Sequence, residues 1–202
     1  MSRGIRSQLA PKSLEFKASE FYISDKYATI LSVISYPGAI MPGYLSTLTN
    51  IPGIKVVVKH IPVPFSVMSK MLNKQIVELE DRYKNEKDLT YKEKIRQEMD
   101  NLQYFTSMLA ASQARIFDFQ MHVMITADTK ENLELMKTNV RNYLDAMELR
   151  AVALRFEQEK VLKSILPIFP KQDIEERIGT PMPSQTIAAM YPFIFDLSLI
   201  HI

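Results

Sequence analysis

An α+β fold is what this sequence predicts, on three observations. Apolar residues recur with a period of two in some stretches and of 3.6 in others, the two kinds of stretch alternate along the chain, and proline and glycine punctuate the joins. The 202 residues are 47% hydrophobic and 24% charged with a formal net charge of +2, the profile of an ordinary globular chain of one or two domains and not of a disordered one. So even a charge balance argues against a protein whose work is to coat phosphate, and there is no strong nucleic-acid signal. The absence of cysteine excludes disulfide scaffolds, thiolate metal sites, iron–sulfur clusters and thiol nucleophiles together, and is what a reducing compartment permits.

The N-terminal residues 1–18 carry Arg3, Arg6, Lys12 and Lys17 and lack the apolar run of a signal peptide, so they read as a basic arm. Between Lys26 and Lys55 no residue is charged, a length that could cross a bilayer. Pro37, Gly38, Pro42, Gly43, Pro52 and Gly53 would break a spanning helix repeatedly, so strand, turn and short helix in a buried core are expected instead. Residues 27–35 (YATILSVIS) have apolar positions on both faces, as a covered central strand does. Pro42 opens a short helix with Tyr44, Leu45 and Leu48 on one side, and a second strand follows in which Ile54, Val56 and Val58 alternate with Lys55, Val57 and Lys59 until Pro62 and Pro64.

From Ser66 the period becomes helical, with Met68, Leu72, Ile76, Leu79 and Tyr83 on one face. A polar turn at 85–89 leads to Thr90 and Glu93, a capping-box pattern that predicts a second helix with Ile95, Met99, Leu102, Phe105 and Leu109 as its stripe. Joined by so short a loop, the two helices should form an antiparallel hairpin over 66–114. Its charges read as a solvated face supported by the i,i+4 pairs Glu78 with Arg82, Glu80 with Lys84 and Asp88 with Lys92.

Residues 116–126 return to period two: Phe117, Phe119, Met121, Val123 and Ile125 to one face, Asp118, Gln120 and His122 to a wetter one. Asp128 and Glu131 suggest another capping box, and Leu133, Met136, Val140, Leu144 and Met147 line the helix after it. A strand over 149–156 and a short helical stretch to Leu166 complete the pattern, and Pro167, Pro170, Pro181 and Pro183 mark 167–202 as an extended segment. Strand, helix, strand, helical hairpin, strand, helix, strand is a βαβ unit twice over. A ferredoxin-like sandwich over 19–166, its sheet carrying two helices on one face, with a long helical hairpin inserted between the halves and a proline-rich C-terminal extension, fits that order best.

Chemistry is sparse. No glycine begins a G-x-x-x-x-G-K-[ST] phosphate loop and no two have G-x-G spacing, so nucleotide hydrolysis by this chain is not expected. His60, His122 and His201 have no metal-ligand spacing, and no serine lies in a G-x-S-x-G turn; no catalytic, metal or cofactor-binding residue is assigned. The twelve methionines fall mainly on apolar stripes and read as core. A partner surface is best placed in the uncharged turn region, at Tyr36, Pro37, Ile40, Met41 and Tyr44, where aromatic and apolar residues beside prolines need a cover.

The ordered pieces YATILSVISYPG at 27–38, the strand ending in His60-Ile61-Pro62, the charged helical hairpin, the strand 116–126 with the helix from Lys130, and PMPSQTIAAMYPF at 181–193 resemble the N-terminal region of the conjugation ATPases of type IV secretion systems, the TrbE/CagE-like family, in its Gram-positive form. The resemblance implies a non-catalytic docking and assembly domain at the inner face of the cytoplasmic membrane. Its partners would be membrane subunits of the conjugation channel, including a small membrane protein, together with other secretion ATPases and further copies of the full-length protein. Family members are ATPases, and the resemblance implies that ATP and Mg2+ belong to a downstream motor domain toward which 167–202 would lead. A free-standing ferredoxin-like regulatory or nucleic-acid-binding module is the alternative, since the fold alone allows it.

Overall fold

A computed structural model describes residues 13–37, 45–111 and 115–189. The architecture is α+β. Seven strands form one sheet: β1 (Leu14–Phe16), β2 (Phe21–Ile23), β3 (Lys26–Ser35), β4 (Ile54–Pro62), β5 (Ile116–Ala127), β6 (Arg150–Val152) and β7 (Thr180–Pro183). The helices are α1 (Ser46–Thr49), α2 (Phe65–Asn85), α3 (Leu89–Ala110), α4 (Lys130–Ala146), α5 (Gln158–Ile165), α6 (Glu175–Ile178) and α7 (Ser184–Ala189). The sheet order is β1-β2-β3-β5-β4, with β6 also paired to β3 and β7 to β5. The β1–β2, β2–β3, β3–β5 and β3–β6 pairings are antiparallel.

The chain divides into two units. One takes the described residues up to Lys59 together with Phe119–Thr180; the other takes His60–Asp118 and Pro181–Ala188.

In the first unit β3 is the axis, because its β-branched and apolar residues are covered on both faces. One edge pairs continuously with β5, Tyr27 opposite Ala127 through Ser32 opposite His122. The other edge is shared: β2 takes Lys26 to Ala28, and β6 takes Ser32 to Ser35 with a bulge between Val33 and Ser35. Ile30 lies in the gap, and the Gln158 side chain fills it, its Oε1 accepting from the Ile30 N–H at 2.8 Å and its Nε2 donating to the Ile30 carbonyl at 3.2 Å. A buried backbone pair left without a neighbouring strand is thus satisfied by one amide.

On that face Ala28 and Ile30 pack with Phe21 against Val161 and Leu162 of α5 and against Ile174 and Ile178 at α6. Alternation sends Leu31, Val123 and Ile125 to the opposite face, and α4 packs on β3 and β6 with Leu133, Val140 and Leu144 buried. Each such fully buried side chain contributes about 1.5–3 kcal/mol. The helix is opened by Thr129, whose side chain accepts from the Asn132 N–H, and not by Asp128: one step along the chain, the hydroxyl meets the N3 amide from an extended backbone.

Among the described residues, glycine is required at one place. Gly53 turns the chain into β4 with φ +80°, and its carbonyl accepts from the Thr126 N–H at 2.8 Å. A Cβ there would lie 2.7 Å from the Thr126 carbonyl oxygen.

The second unit is the predicted helical hairpin with the strand ends it joins. Met68 and Leu72 of α2 pack with Leu109 of α3 and with Ile116. Leu79 and Ile95 are buried too, while Ile76, Met99, Leu102 and Phe105 are half-buried. The cap of α3 is Asp88, whose carboxylate accepts from the N–H groups of Thr90 and Tyr91 at 2.7 and 3.1 Å, so Thr90 stands inside the first turn instead of capping it. Ion pairs on the hairpin are Lys74 with Glu78 and Arg96 with Glu93, different partners from the predicted i,i+4 set, and exposed pairs of this kind are worth little.

Three further expectations are corrected. The strand expected over 149–156 is confined to Arg150–Val152, because Phe156 adopts φ +62° and its N–H turns to the Ala18 carbonyl. The face of β5 expected to be wet is sealed: Gln120 and His122 are buried under α5 and α6. Residues 167–189 hold α6, β7 and α7 rather than extended chain alone.

Candidate functional site

Two arrangements stand out, one in each unit. In the first unit a chain of polar side chains lies on the sealed face of the sheet. Strand pairing places Ser32 of β3 directly across from His122 of β5, and the Ser32 hydroxyl is 3.1 Å from His122 Nδ1. From β4, Lys59 reaches inward to Glu175 at 2.7 Å, the glutamate side chain retaining 2% of its exposure and the lysine 25%. The same ammonium donates to the Ser164 carbonyl at 2.9 Å, Gln120 donates to the Glu175 carbonyl at 3.0 Å, and the Gln172 N–H donates to the second Glu175 oxygen at 3.0 Å. A carboxylate taken this far from water is tolerable because its charge is paired and both oxygens accept hydrogen bonds.

His122 is the electrostatic casualty of the arrangement. Burial pushes its pKa down to about 4, the nearby Lys59 ammonium adds to the depression, and Glu175 offsets part of it. The imidazole is therefore neutral at neutral pH. Its Nε2 is buried without a hydrogen-bond partner among the described residues. A serine hydroxyl on a neutral imidazole is half of a nucleophile–base pair. Here both residues are fully buried, no carboxylate among the described residues is bonded to the far nitrogen, and the contact links β3 to β5. At the rim of the cover, Arg177 and Lys160 bond Glu157 at 2.9 and 3.1 Å and hold its carboxyl below the usual range.

In the second unit an apolar cleft of about 370 Å³ opens at the base of the hairpin, lined by Phe65, Met68, Leu109, Arg115, Ile116 and Phe117 among others. It falls toward the lower end of the ~300–1,000 Å³ typical of ligand pockets. Phe65 is 54% exposed beside it, and Val67, Met71 and Tyr104 are exposed on the two helices that form the hairpin.

Of the sequence-predicted partner residues, Tyr36 is half-buried with its ring edge-on to Phe119 at 5.5 Å, and Pro37 is half-buried beside it. Ile40, Met41 and Tyr44 lie outside the described residues, as does Pro42, the expected start of the short helix. Sequence reasoning missed Lys59, Ser32 and Glu175, and it missed Phe65 and Arg115. The available signal for the first group was a strand lysine that follows the apolar run Val56-Val57-Val58, in a chain whose next strand sets Gln120 and His122 on one face. Phe119 is buried and Phe117 half-buried, so β5 presents no open aromatic platform for stacking bases. Among the described residues no three metal-ligating side chains gather, and no helix is long and apolar enough to cross a membrane. Neither models of known protein families nor curated proteins match this chain.

Proposed function

We propose that this chain is a non-catalytic docking and assembly domain of a type IV secretion conjugation ATPase, holding a motor against membrane subunits of the DNA-transfer channel at the inner face of the membrane. The observation that carries the reading is the hairpin inserted between β4 and β5 with Phe65, Val67, Met71 and Tyr104 left exposed on it, a surface built for a protein partner. The order of sequence motifs described above supplies the family. We also read the sheet as ferredoxin-like: β6-β3-β5-β4 places the fourth, first, third and second strands of two βαβ units side by side, and the β3–β5 and β3–β6 pairings are antiparallel, as that arrangement requires. ATP and Mg2+ belong in this reading to the motor and not to these residues.

The test is crosslinking and co-purification of the folded chain with each membrane subunit of the cognate channel, the small membrane protein included. Recovery of at least one supports the reading; failure to recover any, with the chain shown folded by circular dichroism, overturns it.

A further inference from the structure

Residues 157–179 run between β6 and β7 and close over one face of the sheet. Among the described residues, every hydrogen bond from this segment to the sheet has a side chain on at least one end: Gln158 to the Ile30 N–H and carbonyl, Lys59 to the Ser164 carbonyl and to Glu175, and Gln120 to the Glu175 carbonyl. The segment is also tied to itself, Lys160 to Asp173 at 3.1 Å and Arg177 to Glu157 at 2.9 Å, so that α5 and α6 hold together. Main-chain attachment falls at its ends. The Phe156 N–H donates to the Ala18 carbonyl from a backbone at φ +62°, which a bulky residue rarely adopts. At the other end Gly179 precedes Thr180, where β7 begins its pairing with β5. What lies beneath is half polar. Phe21, Ala28 and Ile30 meet Val161, Leu162, Ile174 and Ile178, but Ser32, Gln120, His122 and Lys59 would regain water on exposure. His122 Nε2, buried without a hydrogen-bond partner among the described residues, would gain one.

We propose that Gln158–Ile178 is a hinged cover, which lifts from the sheet as a unit about Phe156 and Gly179 while β3, β5 and α4 stay folded. The contrast between the two faces of the sheet decides which side opens. Leu31, Val123 and Ile125 on the opposite face are apolar, as are the buried Leu133, Val140 and Leu144 of α4, so lifting that helix would return no polar group to water. Lifting the cover gives up one small apolar cluster and a few side-chain bonds, which places its opening below global unfolding in free energy. The strained Phe156 and the unbranched Gly179 stand where a moving segment must absorb changes in backbone angle. An open cover turns a sealed face into an accessible one, so the segment gates the strip of sheet from Ile30 past Ser32 to His122. Neither the hairpin nor any partner enters this argument, and it stands apart from the docking reading.

The chain has no cysteine, so a single introduced thiol reports without background. The experiment measures maleimide labelling in sub-denaturing urea of Ser32→Cys, under the cover, and of Val123→Cys, on the opposite face, in the whole chain with circular dichroism confirming each fold. The Ser32→Cys thiol is expected to label at least about tenfold faster and with a shallower urea dependence, because opening exposes less surface than unfolding. Gln158→Leu strands the Ile30 N–H and carbonyl and should speed labelling of Ser32→Cys about tenfold. Val140→Ala weakens packing that the open form retains. It should speed labelling of Val123→Cys about tenfold and leave that of Ser32→Cys unchanged. In the parent chain, hydrogen exchange of the Ile30 amide should show the shallow urea dependence, and that of the Leu31 amide, turned toward β5, the steep one. Equal labelling with equal urea dependence at the two thiols, equal acceleration of both by Val140→Ala, or no effect of Gln158→Leu overturns the proposal. So does rapid exchange at Ile30 with the Ser32→Cys thiol still protected, which would mean that the Gln158 side chain swings alone. The amide comparison needs no substitution and decides the matter should a thiol variant fail to fold, equal dependence at Ile30 and Leu31 being the refuting result.

Discussion

His122 offers a stability experiment whose sign and size follow from its surroundings. In the folded chain its pKa is held at about 4 by burial and by Lys59, with Glu175 opposing; in the unfolded chain it returns to the ordinary 6.5. Above about pH 6.5 both states carry a neutral imidazole and the residue contributes no pH dependence. As pH falls toward 4 the unfolded chain takes up a proton that the folded chain refuses, so folding free energy is lost progressively. At about 1.4 kcal/mol per tenfold change in proton activity, the loss reaches about 3 kcal/mol by about pH 4. The assay is urea unfolding followed by circular dichroism at intervals from about pH 7 to about pH 4, for the parent and for His122→Asn, which keeps a hydrogen-bonding atom near Ser32. Surface carboxylates titrate alike in both, so the difference in slope isolates the imidazole. Parallel losses in the two proteins, or an imidazole pKa at or above the ordinary value in an NMR titration of the ring protons, would refute the reasoning.

Lys59→Met strips Glu175 of its cation and should destabilise by about 3 kcal/mol, the lower end for breaking a buried pair because the lysine keeps some exposure; Lys59→Met with Glu175→Gln should recover most of it, and denaturant midpoints with unchanged slope decide. Gly53→Ala forces a left-handed backbone onto alanine and drives a methyl into the Thr126 carbonyl, so a loss of about 1–3 kcal/mol is expected, read as a lowered thermal midpoint. An unchanged midpoint would mean that the turn before β4 relaxes freely.

The elements legible in the sequence were those whose buried set repeats along a single surface. Leu133, Val140 and Leu144 on α4, and Phe119, Met121, Val123 and Ile125 on β5, declare their inward faces by spacing alone, and the structure buries all of them. What spacing cannot declare is what covers the complementary face. Gln120 and His122 read as solvent-facing because polarity on alternate positions is ordinarily satisfied by water. Here the bonding groups are the Ser32 hydroxyl for His122 and the Glu175 carbonyl for Gln120, the latter from the distant 158–178 segment, which carries too little periodicity to announce itself as a layer. β1 and β2 escaped for the same reason, being three residues each with no room for a pattern. The caps were misplaced by one or two residues, since Asp88 and Thr90, or Asp128 and Thr129, are equally able acceptors and only backbone angles choose between them. The cleft could not be seen because it joins residues from Phe65 to Phe117 whose nearness is made by the hairpin.

The amide of Gln158, standing where a strand would stand beside Ile30, also decouples what lies above it from what lies below. A continuous ladder would force any slip of β6 to be matched by β2, since every rung fixes the next. With one rung supplied from a helix, the irregularity between Val33 and Ser35 is absorbed locally, and the β1–β2 ribbon keeps its own alignment on Lys26 to Ala28. Alterations of length in the chain around β6 can thus be accommodated without reshuffling the other end of the same edge.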